Sequence, residues 1–232
     1  MKTPITAKRI RQHWQYNWWK YALLVCLTLL GWNLIYSTTA YRPPQDKVVD
    51  VYLYGYDMDG GMQAYLDGVR AEEMSDMEQM DWVVITPDDT YGAMVLSTRV
   101  AANEGEIYIL PKSFFQNYAT QGWFLALEDV EGLVETLEGE GVNLERSWRM
   151  NTETGERHLY GVPLSALPGL AAHVACTEEF WVCVSVTGQN DENAVKLLQI
   201  LVRDMLEAPE TPAETIAPEA TAQAASGEEE KR

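Results

Sequence analysis

The longest apolar run comes first. Residues 21–37 (YALLVCLTLLGWNLIYS) carry no charge and no polar stripe. With Trp18 and Trp19 they approach the roughly 20 residues that an α-helix needs to cross about 30 Å of hydrocarbon. The missing stripe argues against a buried amphipathic helix of a soluble fold. Trp18, Trp19 and Tyr21 stand at one end and Trp32, Tyr36 and Tyr41 at or beyond the other, where amphipathic rings prefer the headgroup layer. A basic leader precedes the run, which predicts the N-terminus in the cytoplasm and residues 41–232 outside it. A cleaved secretory signal shares this polarity, and Thr38 and Ala40 offer a small-x-small site before Tyr41. Its apolar core is normally only about 7–15 residues, so the longer run and long leader favour an uncleaved anchor. Cys26 lies deep inside the run, which does not suit a lipidated cysteine.

Beyond it, Arg42-Pro43-Pro44-Gln45-Asp46 reads as a short stiff spacer, after which strand and helix signals alternate. Residues 48–54 (VVDVYLY) predict a strand. After Gly60-Gly61, residues 62–77 place Met62, Tyr65, Leu66, Val69, Met74 and Met77 at near-helical spacing. Residues 82–85 (WVVI) give a second strand, closed by Thr86-Pro87-Asp88-Asp89. Residues 91–103 suit a helix capped by Asp89 or Thr90, with Gly105 just past its end. A third strand covers residues 106–110 (EIYIL); Pro111 then opens a helix to about Gln121, and Gly122 stops it. An acidic helix at 131–141, a hairpin at 147–163 turning at Thr152-Glu153-Thr154-Gly155, and a strand at 180–187 follow. The last element is an amphipathic helix at 192–206, with Asn190 or Asp191 as its cap. Strand–helix–strand units of this size predict βαβ crossovers, hence an α/β fold with a mainly parallel sheet. Residues 207–232 hold one large apolar side chain, Ile216, and are predicted to be disordered. The chain divides into a leader (1–20), a transmembrane helix (21–40), a spacer (41–47), an α/β domain (48–206) and an acidic tail (207–232).

Charge sharpens this division. Seventeen Lys and Arg face 35 Asp and Glu, a net of −18. The charges before residue 41 are Lys2, Lys8, Arg9, Arg11 and Lys20, all basic, which leaves residues 41–232 at −23. So acidic a surface repels phosphate backbones and excludes nucleic acid as a partner. Three Cys and three His are too few for a zinc scaffold. Cys176 and Cys183 would lie where disulfides are permitted and could close a short loop; equally, Cys183 is a small apolar residue inside the strand FWVCVSV.

In an open α/β sheet, ligands sit at the carboxyl ends of the strands. The candidates there are Tyr56, Asp57 and Asp59 after the first strand, Asp88, Asp89 and Tyr91 after the second, and Lys112 and Ser113 after the third. The carboxylates suit sugar hydroxyls or a cation, and the tyrosines suit stacking. A plainer reading makes Asp57 and Asp59 turn residues, Asp88 and Asp89 helix caps, and Ser113 part of a first turn. Gly68 stands where a calcium loop starting at Asp57 needs Glu, and Gly60-Gly61 belongs to no phosphate-binding motif. His158 and His173 read as loop or surface residues, Trp123, Trp148 and Trp181 as core, and Glu131, Glu135, Glu138 and Glu140 as a solvated helix face. No cofactor, metal ligand set or catalytic constellation is predicted.

The run STRVAANEGEIYILPKSFFQNYATQGWFLALED resembles a stretch of bacterial extracellular solute-binding proteins of ABC-type transporters. Gly105, Glu106, Ile107, Tyr108 and Ile109, then Gly122, Phe124, Leu125, Leu127 and Glu128, carry the likeness, and Tyr160-Gly161-Val162-Pro163-Leu164 looks like that family's Y-G-I/V-P strand. The resemblance implies one periplasmic-binding-protein-like lobe, about 160 ordered residues where the family has two lobes. A lone lobe cannot enclose a ligand by hinge closure. The expected function is a non-catalytic accessory or sensor module of a transporter or surface complex. Its partners would be the bilayer through residues 18–37 and a permease or other protein. Weak sugar or peptide binding for transport, or a relic structural lobe, are the alternatives.

Overall fold

The computed structural model describes residues 7–87, 89–175 and 178–207. They fall into two compact units, Met1–Pro44 and Gln45–Arg232. The candidate tail at 207–232 lies, apart from Glu207, outside the described residues.

The first unit is one helix, α1 (Ala7–Thr39), which begins well inside the predicted leader. Its segment Trp14–Thr39 is long and apolar enough to cross a membrane. Several of its hydroxyls are satisfied within the helix. Thr28 donates to Leu24 O at 2.8 Å, and Thr38 and Thr39 donate to Leu34 O and Ile35 O, one turn back.

The second unit is built on a five-stranded sheet in the order β3-β1-β4-β9-β7. Its strands are β1 (Val48–Tyr54), β3 (Gln79–Ile85), β4 (Ile107–Pro111), β7 (Val162–Pro163) and β9 (Phe180–Val184). Shorter strands form two ribbons: β2 (Tyr56–Asp57) with β8 (Val174–Ala175), and β5 (Trp148–Met150) with β6 (Arg157–Leu159). The helices are α2 (Gly61–Glu72), α3 (Asp89–Ala101), α4 (Lys112–Thr120), α5 (Leu133–Gly139), α6 (Pro168–Ala171) and α7 (Asp191–Met205). β1 pairs parallel with β3 and β4, whereas β9 runs antiparallel to both β4 and β7. Four strands thus share one direction and β9 opposes them, so the sheet is mixed. The reversal follows from where the chain arrives. β8 pairs with β2 at the carboxyl edge, so the chain enters β9 from that edge and must run back.

Both faces are apolar, and side-chain alternation sorts them. Val49, Val51, Leu53, Ile107 and Ile109 meet α2, α5 and α7 on one side. Tyr52, Tyr54, Tyr108 and Leu110 meet α3 and α4 on the other. α7 buries Ala194, Leu197, Leu198, Leu201, Val202 and Met205, a helical i, i+3, i+4, i+7 face in which each large side chain contributes roughly 1.5–3 kcal/mol. Two glycines allow close approach. Gly105, at φ 83°, lies where a Cβ would meet the Tyr52 ring at 2.2 Å, and a Cβ on Gly161 would stand 2.9 Å from Cys183 Sγ.

Several predicted boundaries move. The helix expected over 62–77 ends at Glu72, and Met74 and Met77 are buried from the following turn, where Arg70 Nη1 donates to Glu78 O at 2.9 Å. β3 starts at Gln79 rather than Trp82 because it pairs along the whole of β1, from Val48↔Gln79 to Tyr54↔Ile85. Asn190 occupies the N-cap position of α7, yet its Nδ2 donates to Val48 O. Asp191 instead accepts from Thr187 N and Gly188 N.

At the opposite, amino-terminal edge of the sheet, Glu106 Oε2 accepts from Asp50 N at 2.7 Å, and Asp50 stands beside Asp81 in the β1–β3 register. Asp50 Oδ1 is buried with no hydrogen-bond partner among the described residues. Burial, reinforced by Asp81, pushes the Asp50 carboxyl up to about 6, and burial pushes Glu106 up to about 7. The folded state therefore binds more protons than the unfolded one across this window. Stability is full below the unfolded values near 4 and falls as pH rises through about 6–7. His158, raised by its bond to Glu128, acts in the same sense. Unfolding followed calorimetrically should show a loss on the order of 2 kcal/mol between about pH 5 and pH 8, flattened in Asp50→Asn/Glu106→Gln.

Candidate binding edge

The carboxyl ends of β1, β3, β4 and β7 and the amino end of β9 lie along one edge of the sheet. The pairs Tyr54↔Ile85, Pro111↔Phe180 and Pro163↔Trp181 fix this alignment. Most of the sequence-predicted site residues border it. Tyr56 is 51% exposed, and Tyr91, in the first turn of α3, is 67% exposed. Met58 and Met94 are exposed beside them in sequence. Lys112 and Ser113 open α4 with both side chains exposed. Asp88 lies outside the described residues, and Asp89 is placed only as the first residue of α3.

The two carboxylates after β1 organise their own turn. Asp57 Oδ1 accepts from Asp59 N and Gly60 N, and its Oδ2 accepts from Trp82 Nε1 at 3.0 Å. Asp59 accepts from Gly61 N at 3.0 Å and lies 2.8 Å from His173 Nδ1. The Gly61 amide and the His173 contact hold the Asp59 carboxyl below its ordinary range. The turn's own amides, Trp82 and His173 thus engage these carboxylates.

Further along the edge, at β9 and β7, opens a cleft of about 820 Å³. Arg146, Leu164, Ser165, Glu178, Glu179 and Phe180 are among its lining residues. Glu179 ties the cleft to the predicted residues, because its Oε2 lies 3.3 Å from Lys112 Nζ while Oε1 accepts from Arg146. All three side chains are about half exposed or more, so each pair contributes only ~0.2–1 kcal/mol to stability. They remain able to exchange partners with a ligand. Sequence reasoning missed this cleft because Arg146 and Glu179 lie 33 positions apart and meet only through the return strands. The available signal was the pair Glu178-Glu179 set directly before an apolar strand.

Trp181 lines the cleft from behind without serving as a platform. It is 2% exposed, stacks on Phe115 at 4.9 Å between centroids, and donates from Nε1 to Ser147 Oγ at 3.1 Å. His158, expected on a loop or the surface, belongs to β6; its Nδ1 lies 2.5 Å from Glu128 Oε1. Glu131, Glu135, Glu138 and Glu140 are exposed in and around α5. Cys183 is a fully buried free thiol in β9, and Cys176 lies outside the described residues. Among the described residues no group of three His, Cys, Asp or Glu side chains is placed to hold a metal ion.

No family model matches the chain, and no curated protein matches it significantly. Among solved structures it is similar to an extracellular solute-binding protein family 1 member from Alicyclobacillus acidocaldarius, with 20% identity and a TM-score of 0.37 over 53% of this chain and 28% of that one. It is also similar to the N-glycan transport solute binding protein NgtS of Streptococcus pneumoniae in complex with Man5GlcNAc, with 19% identity and a TM-score of 0.30 over 50% and 24%. A third is apo RafE of Streptococcus pneumoniae, with 18% identity and a TM-score of 0.31 over 53% and 29%. The chain thus spans about a quarter of the length of these structures. At such TM-scores the likeness carries no argument about this chain.

The contrast between rim and core is measurable. In urea unfolding followed by circular dichroism, Trp181→Ala should cost about 3–5 kcal/mol and Glu179→Ala no more than about 1 kcal/mol.

Proposed function

We propose that this chain is a single-pass, membrane-anchored binding module with its N-terminus in the cytoplasm and its α/β unit outside. It acts without catalysis, as a solute-binding-protein-like accessory or sensor subunit of a transporter or surface complex. The observation that carries this reading is the composition of the carboxyl edge. Exposed Tyr56, Met58 and Tyr91, the half-exposed Lys112–Glu179–Arg146 group and an open cleft border one edge while contributing little to the core. Aromatic and arginine side chains of this kind are enriched where proteins meet proteins. The acidic charge outside the anchor suits a partner with a basic face.

The cleft favours a second reading, weak binding of a sugar or peptide, because about 820 Å³ falls in the range of small-molecule sites. Purification of the full chain in mild detergent separates the two. On the first reading, a membrane protein co-purifies with the wild type and is lost from Tyr56→Ala/Tyr91→Ala, and no solute raises the melting temperature. Identical co-purification with the variant would remove the assignment of this face. A sugar or peptide that stabilises the chain by about 2.7 kcal/mol at a hundred times its Kd, an effect lost in Arg146→Ala, would put transport binding first.

A further inference from the structure

Resting on the membrane reading of α1, we propose that the N-terminal third of this helix is a recognition surface for anionic lipid headgroups. A helix of 33 residues is about 50 Å long at ~1.5 Å per residue, whereas ~30 Å of hydrocarbon takes up only about 20. The surplus falls at the N-terminal side, where the uncharged apolar run begins at Tyr21 but the helix reaches back to Ala7. This part of the chain carries Lys8, Arg9, Arg11 and Lys20, with Lys2 upstream, and no acidic residue occurs before Asp46. The leader therefore offers its cations no acidic neighbour along the helix, in contrast to a solvated surface helix with i, i+4 pairs of opposite sign.

Aromatic side chains are interleaved with these cations. Trp14, Trp18 and Tyr21 share one helix face at i, i+4 and i+7, and the rings of Trp14 and Tyr21 stack with centroids 5.6 Å apart. Lys20 Nζ lies 5.9 Å from the centroid of the Trp19 ring. All five of these side chains are exposed within their unit. Rings of this kind settle at headgroup depth, which sets Arg11, about one turn before Trp14, at the level of the phosphates. A zwitterionic surface offers the leader's cations no net attraction. An anionic one favours each cation by about fivefold.

The test uses the full chain reconstituted in vesicles of phosphatidylcholine and phosphatidylglycerol at about 7:3. A dansyl fluorophore is placed on the acyl chain of one lipid or the other, and energy transfer from tryptophan reports which lipid surrounds the protein. The expected result is stronger transfer to phosphatidylglycerol, an enrichment of about fivefold or less in the first lipid shell. That preference should fall toward unity in Lys8→Gln/Arg9→Gln/Arg11→Gln and at about 0.5 M NaCl, where screening is strong. Equal transfer to the two lipids in the wild type, or a preference unchanged in the triple variant, would overturn the headgroup assignment while leaving the anchor standing. Release of the wild type from pure phosphatidylcholine vesicles by alkaline carbonate would overturn the anchor itself, and this proposal with it.

Discussion

Strand β4 has no exposed residue, and the second unit is arranged around that fact. Ile107 and Ile109 point into one core and Tyr108 and Leu110 into the other, so the strand is stable only with a helical layer on each face. α2 and α7 supply one layer, α3 and α4 the other. Close packing at this centre leaves little room for chemistry, as Gly105 and Gly161 indicate. Both positions are already filled to the point where a single added Cβ would collide with Tyr52 or Cys183. Features free to meet a partner are displaced to the ends of the strands.

The two ends differ in a way that alternation alone would not produce. At the amino-terminal edge, Asp50 and Glu106 are withdrawn from water and their carboxyls are raised, so this end answers to pH through burial. At the carboxyl edge, the charged groups Lys112, Glu179 and Arg146 keep their solvent and are held by ion pairs of small energy. A buried carboxylate lowers stability whenever it ionises and gains nothing from a passing ligand. A half-exposed triad loses little when one of its pairs opens. Of the two arrangements, the second is the one able to exchange partners at little energetic cost.

How much of this the sequence disclosed follows from the range of each interaction. β1, β4 and α7 are legible because their signal is local: a run of β-branched and aromatic residues, or an apolar stripe at helical spacing. The hairpin between Trp148 and Leu159 is legible from the turn residues around Gly155. The reversed direction of β9 is not, since it depends on the ribbon between Tyr56–Asp57 and Val174–Ala175, more than a hundred residues apart. The cleft escapes for the same reason. Of the residues chosen for the edge, Tyr56, Tyr91, Lys112 and Ser113 are exposed there, while the carboxylates of Asp57 and Asp59 are engaged by their own turn, by Trp82 and by His173. A carboxylate in a turn has two uses, and sequence does not say that the amides of Gly60 and Gly61 are the nearer claimants.

Charge along the chain supplies the last link. Every cation of the leader precedes the first acid, Asp46, and the acidic excess lies wholly beyond it. A mixed distribution of the same composition would let short-range pairs of opposite sign neutralise one another, and no long-range preference would survive salt. Segregation preserves two fields of opposite sign on one polypeptide, separated by an uncharged stretch of about the length of a bilayer crossing. On the proposed reading, each field selects its own surroundings: basic faces for the α/β unit, anionic surfaces for the leader. The orientation of the chain and the chemistry of its contacts are in this sense one property, written in the order of charges rather than in any single residue.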